Sequence, residues 1–96
     1  MTTQEITQKI IPVLKANDVI FAALFGSRAR GEEKADSDID ILVRFGTPKS
    51  LFDLIGLEQE LSQTLNSKVD VVTERSLHPL IKNQVIQDLK PVYGQR

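Results

Sequence analysis

Cysteine and tryptophan are absent from the chain, and histidine, tyrosine and methionine occur once each. Without thiols there is no disulfide framework, no thiolate nucleophile and no cysteine-based zinc site. A single imidazole, His78, excludes a His-rich metal centre and makes a Ser-His-Asp triad improbable. No apolar run approaches the roughly 20 residues that a membrane-spanning helix needs. The opening MTTQEITQK has no apolar signal-peptide core, so the reading is a cytoplasmic protein. Charge of one sign is missing too. Twelve basic residues face 13 acidic ones, a formal net charge of -1, whereas domains that hold nucleic acid by counterion release carry a clear basic excess. Catalysis, if present, has to run on carboxylates, hydroxyls and cations.

What is present is 96 residues, 41% apolar and 26% charged. That is an ordinary globular balance and a length suited to one core, so residues 1–96 read as a single domain. Thr2 and Glu5 have the form of a capping box, and Ile6, Ile10, Ile11, Val13 and Leu14 recur at helical spacing. Pro12 has no amide donor and crowds the carbonyl of Gln8, so this helix is expected to kink or be short. Val19 to Phe25 is the short apolar run of a strand buried on both faces. Gly26 to Ser37 reads as a loop with a short helical turn, and Asp38 to Phe45 as a second strand. Gly46, Pro48 and Ser50 break that strand, and Ser50 with Asp53 caps a helix that lines up Leu54, Leu57, Leu61 and Leu65. Gly56 inside this helix costs about 1 kcal/mol relative to alanine, which points to close packing against a neighbour. Asn66-Ser67 ends the helix, and Val69 to Val72 forms a third strand. Pro79 opens a last helix, with His78 capping or exposed before it, Leu80, Ile81, Val85, Ile86 and Leu89 inward, and Pro91 as its stop. Tyr93 is left to packing or a partner contact. The helix between the second and third strands makes those strands parallel. The expected fold class is α/β (α+β): a three-stranded mixed sheet with helices packed against it, in the order α-β-(turn)-β-α-β-α.

The chemistry concentrates between Gly26 and Asp40. Asp38 and Asp40 are two apart on a strand, so their carboxylates leave one face. Side by side they raise each other's pKa unless a cation intervenes, and Mg2+ suits hard oxygen ligands and phosphates. Asp70 falls at nearly the same depth on the next strand. Three convergent carboxylates can hold two ions roughly 3.5–4 Å apart, the arrangement that serves phosphoryl or nucleotidyl transfer. Gly26 lets backbone approach a phosphate, Ser27 adds a hydroxyl, and Arg28 and Arg30 are near enough to assist. Alternatives stand beside each of these. Asp36, Asp38 and Asp40 also fit a solvated acidic turn neutralised by Arg28, Arg30 and Lys34, Ser27 fits a helix cap, and Asp70 fits a strand-edge residue.

Gly-Ser, ten intervening residues, then Asp-x-Asp, with a further Asp on a later strand, resembles the DNA polymerase β nucleotidyltransferase superfamily. The string GSRARG…SDIDILV is similar to its smallest branch, the minimal nucleotidyltransferases (MNT), and the resemblance covers most of the chain. It implies the nucleotidyltransferase fold, phosphate binding by Gly26 and Ser27, and a metal-binding catalytic trio of Asp38, Asp40 and Asp70. The roles of Arg28 and Arg30 carry over less directly. Mg2+, as two ions, and ATP as substrate are implied with them. So is the antitoxin half of a HEPN/MNT toxin–antitoxin pair, which transfers AMP to a hydroxyl, expected to be tyrosine, of a HEPN ribonuclease toxin. Larger relatives bind the acceptor with extra domains, for which this length leaves no room, so the partner supplies that surface in a hetero-oligomer. Two other readings are an antitoxin that neutralises by binding alone and a transferase for a small-molecule acceptor. Tailing of an RNA 3′ end fits poorly with a net charge of -1.

Overall fold

The computed structural model describes residues 2–26 and 38–95. Helix α1 spans Thr3–Ala16, and the Glu5 N–H donates to Thr2 Oγ1 at 3.1 Å to cap it. It runs through Pro12 without ending there. Gln8 and Pro12 both lie on its exposed side, where water can take the carbonyl that proline leaves without a donor. Strand β1 (Val19–Phe25) and strand β2 (Ile39–Phe45) pair antiparallel, and β2 pairs parallel with β3 (Val69–Val72) across helix α2 (Leu51–Leu65). The expected Ser50–Asp53 capping box opens α2, and Asn66 closes it in the left-handed conformation at φ 51.

The sheet has four strands, not three. After a 3-10 turn (Glu74–Ser76) and helix α3 (Pro79–Asp88), β4 (Lys90–Gly94) returns antiparallel to β1, giving the order β3-β2-β1-β4. Pro91 ends the last helix as expected, yet it sits inside this strand. β4 is an edge strand, where a residue without an N–H is tolerated. Tyr93 and Val92 pack against the core from β4.

The two faces of the sheet are covered unequally. On one, Ile6, Ile10 and Leu14 of α1 and Leu57, Leu61 and Leu65 of α2 bury Ile39, Ile41, Val43, Val69 and Val71. Leu54, Ile11 and Val13 are only partly buried. On the other face, Phe21, Ala23 and Leu42 are covered by Leu77, by Val85 of α3 and by Leu89 at its C-cap. No residue of α3 is fully buried, and Leu80 and Ile81 are 86% and 51% exposed rather than inward. Val85 and Leu89 are four apart, so one narrow stripe suffices to seat the helix, and residues at its start turn away from it. Gly56 also departs from expectation: a Cβ there would meet nothing within 4 Å, so no close neighbour explains it.

Candidate active site

Asp40 lies between Ile39 and Ile41, whose side chains enter the core covered by α1 and α2, so its carboxylate leaves the opposite face, beside Leu42. Asp70 stands in the same relation to Val69 and Val71 on β3. The parallel register then sets Asp40 directly beside Asp70. Ile39 pairs with Val69, and its N–H donates to the Lys68 carbonyl at 3.0 Å, so one step earlier Asp38 meets Lys68. The equal depth of Asp40 and Asp70 expected from sequence is thus a direct pairing in the strand register.

From the other side, antiparallel β1 brings Phe25 opposite Asp40, and the next residue, Gly26, turns at φ 74. A Cβ on Gly26 would stand 2.5 Å from Asp40 Oδ2. Glycine is demanded there twice, by the left-handed backbone and by the carboxylate against it. Asp38, Asp40, Asp70 and Gly26 thus share one end of the sheet, as the sequence pattern requires. Ser27, Arg28 and Arg30, with the expected helical turn, lie outside the described residues.

Burial, followed by the charges of Asp70 and Asp38, pushes the Asp40 carboxyl above its ordinary range. Asp38 is exposed and turns Oδ2 to Lys68 Nζ at 3.7 Å. Among the described residues, no three His, Asp or Glu side chains are gathered as they stand into the ligand set of one ion. The donors nevertheless fit a divalent cation. They are hard carboxylate oxygens, one is held at a cost that positive charge would relieve, and the bare Cα of Gly26 leaves room at Oδ2 that a side chain would fill.

Three contributors escaped the sequence reading. Lys68 is the counter-charge of Asp38; its only sequence signal is the Lys-x-Asp spacing that puts it on the face of Asp70. Glu58 and Ser62 of α2 accept from the outward N–H groups of Val71 and Val69, at 2.9 and 3.1 Å. They cover the edge of the strand that carries Asp70, and their spacing of four on a helix matches the spacing of two on the strand. His78 does what its position implies: Nδ1 accepts from the Leu80 N–H at 3.1 Å as the cap of α3. A cleft of about 400 Å3 opens at the other end of β2, near Arg44, Thr47, Thr73 and Arg75. Arg44 is four residues from Asp40, roughly 13 Å along the strand, so this cleft does not include the carboxylates.

The neighbours of this chain place the same arrangement in context. A relative from Methanocaldococcus jannaschii, whose name puts it among protein adenylyltransferases, is 50% identical over 88 residues, covering 92% of this chain and 95% of that one. A chain in the crystal structure of a toxin–antitoxin with AMP-PNP superposes with a TM-score of 0.81 at 33% identity, over 94% of this chain and 74% of that one. A chain from the complex of tri-AMPylated Shewanella oneidensis HEPN toxin with MNT antitoxin gives 0.75 at 31% identity, over 96% and 72%. The sequence pattern of the Polymerase beta, Nucleotidyltransferase family matches residues 8–96, and with two aligned strand aspartates and a glycine turn at their rim, the chain belongs to that family.

Proposed function

We propose that this chain is an antitoxin-type minimal nucleotidyltransferase, which transfers AMP from ATP to a tyrosine hydroxyl of a partner HEPN ribonuclease toxin and so silences it. The observation that carries the reading is the side-by-side register of Asp40 and Asp70, with Gly26 against the Asp40 carboxylate. A nucleotidyltransferase takes a nucleotide substrate, usually with a divalent metal. Two relatives in this fold carry the rest: one crystallised with AMP-PNP, the other beside an AMPylated HEPN toxin.

In this reading Asp38, Asp40 and Asp70 hold two Mg2+ ions, which when bound neutralise charge on the phosphates and on the attacking oxygen. Gly26 presents backbone to the triphosphate, joined by Ser27 and assisted by Arg28 and Arg30. Asp70 accepts the proton of the tyrosine hydroxyl, its carboxylate being fixed beside Asp40 by the strand register. The tyrosine oxygen forms a bond to the α-phosphorus as the bond to pyrophosphate breaks, so no covalent enzyme intermediate is needed. Positioning and charge neutralisation supply the catalysis.

The test is transfer of label from α-labelled ATP, with Mg2+, to a HEPN toxin that co-purifies with this chain. Label on a toxin tyrosine, lost with Asp38→Ala or Asp40→Ala, is the expected result. Neutralisation of the toxin that survives both substitutions, with no label transferred, replaces the proposal with neutralisation by binding alone.

A further inference from the structure

Among the described residues, four charged side chains at the rim form a two-by-two array. Asp40 stands beside Asp70, and Asp38 stands beside Lys68. Lys68 is set there by its backbone, since its carbonyl accepts from Ile39 and its side chain shares the face of Asp70 two residues on. Its ammonium lies 3.7 Å from Asp38 Oδ2, with the two side chains 71% and 45% exposed. This is a tethered cation on one of the carboxylates that the proposed function gives to the metal.

The geometry points to Lys68 as a positioning residue that makes metal binding depend on the nucleotide. The inference rests on the reading of Asp38 and Asp40 as metal ligands. Without nucleotide, a divalent ion reaching Asp38 must displace the ammonium, which then loses its partner. Asp40 and Asp70 remain beside each other at that moment, so the ion is opposed at one corner of the array and attracted at the other. When the ion arrives with a triphosphate, the displaced ammonium gains a new set of anionic oxygens within reach of its flexible stem. Lys68 then moves from Asp38 to the phosphates, and the same charge that opposed the bare ion favours the ion–nucleotide pair. The exposed position is what permits this exchange, because little burial has to be undone at either end.

The two effects have opposite signs, and a lysine that merely supports the strand would not separate them. For the full chain carrying Lys68→Gln, calorimetric titration with Mg2+ alone, and with Mn2+ alone, should give about two- to fivefold tighter binding, the range of an exposed ion pair. Titration of AMP-PNP in the presence of Mg2+ should weaken by about fivefold. Lys68→Arg keeps the charge and should restore both values to within about twofold. Unchanged affinity for the bare ion in the glutamine variant, or shifts of the same sign in both titrations, would overturn the inference. Asp40→Asn separates this failure from a failure of the site. If wild type and Asp40→Asn bind Mg2+ with AMP-PNP equally well, the metal site itself is misassigned and the role of Lys68 falls with it. If Asp40→Asn abolishes binding while Lys68→Gln behaves as wild type, only the lysine inference falls.

Discussion

Alanine at Gly26 and alanine at Gly56 are the same chemical change with opposite expected outcomes. At Gly26 the backbone is held at φ 74, a conformation that costs an L-residue roughly 1–2 kcal/mol. The new Cβ would also stand 2.5 Å from Asp40 Oδ2, half an ångström inside the 3.0 Å that real Cβ contacts respect. Either the carboxylate or the turn has to move. The strain alone lowers Tm by about 4–15 °C for a domain of this size, and displacement of Asp40 should reduce AMP transfer by about tenfold to a hundredfold. At Gly56, exposed within α2, a Cβ meets nothing within 4 Å. Alanine there should stabilise by about 0.5–1 kcal/mol and leave transfer unchanged. Thermal unfolding followed by circular dichroism, alongside the labelled-ATP assay, measures both variants. A Gly26→Ala protein that melts and transfers like wild type would refute the contact between the glycine turn and Asp40.

Three further predictions concern charge and the edge of the sheet. The folded-state pKa of Asp40 lies above its ordinary value of 3.8, so the folded chain holds that proton more tightly and loses stability as pH rises through this window. Asp40→Asn should therefore raise stability at neutral pH and flatten the profile above about pH 4; urea titrations across that range decide it, and an Asn variant less stable than wild type at pH 7 contradicts it. Asp18 is shifted the other way, chiefly by the Thr47 hydroxyl, which donates to its Oδ2 at 2.7 Å. Its contribution is present above pH 3.8 and fades as pH falls through the lower folded value, so Asp18→Asn should shrink the acid-induced loss of stability and spare AMP transfer. Glu58→Ala removes the acceptor of the Val71 N–H and should cost about 1–3 kcal/mol. Glu58→Gln, which keeps an acceptor, should recover much of that in the same denaturation experiment.

The elements legible in the sequence are those whose signals are local. Ser50 and Asp53 lie three apart and cap one helix turn, and Ile6, Ile10 and Leu14 fall on one stripe. The alternation around Asp40 needs no partner strand to be read, and a crossover helix of ordinary length forces β2 and β3 to run parallel. Three readings went astray where the deciding contact is distant or missing. β4 was not seen because its partner β1 is some seventy residues away and its own five residues include Pro91 and Gly94. Leu80 and Ile81 look inward by composition, yet α3 is seated through Val85 and Leu89. Gly56 invited a packing explanation, and the space around it is open.

Spacing along the chain singled out the candidates for the chemistry, Gly26-Ser27, the Asp38–Asp40 pair and Asp70, and of these the described Gly26, Asp38, Asp40 and Asp70 stand at strand ends. Only the tertiary structure decided that Asp70 falls beside Asp40 rather than one residue out of step, that Gly26 closes on the Asp40 carboxylate, and that Lys68 sits against Asp38. Side-chain periodicity is intrinsic to a strand, whereas register between strands is set by the core they bury together. A slip of one residue would have turned Asp70 into the apolar layer under α2 and removed it from the rim.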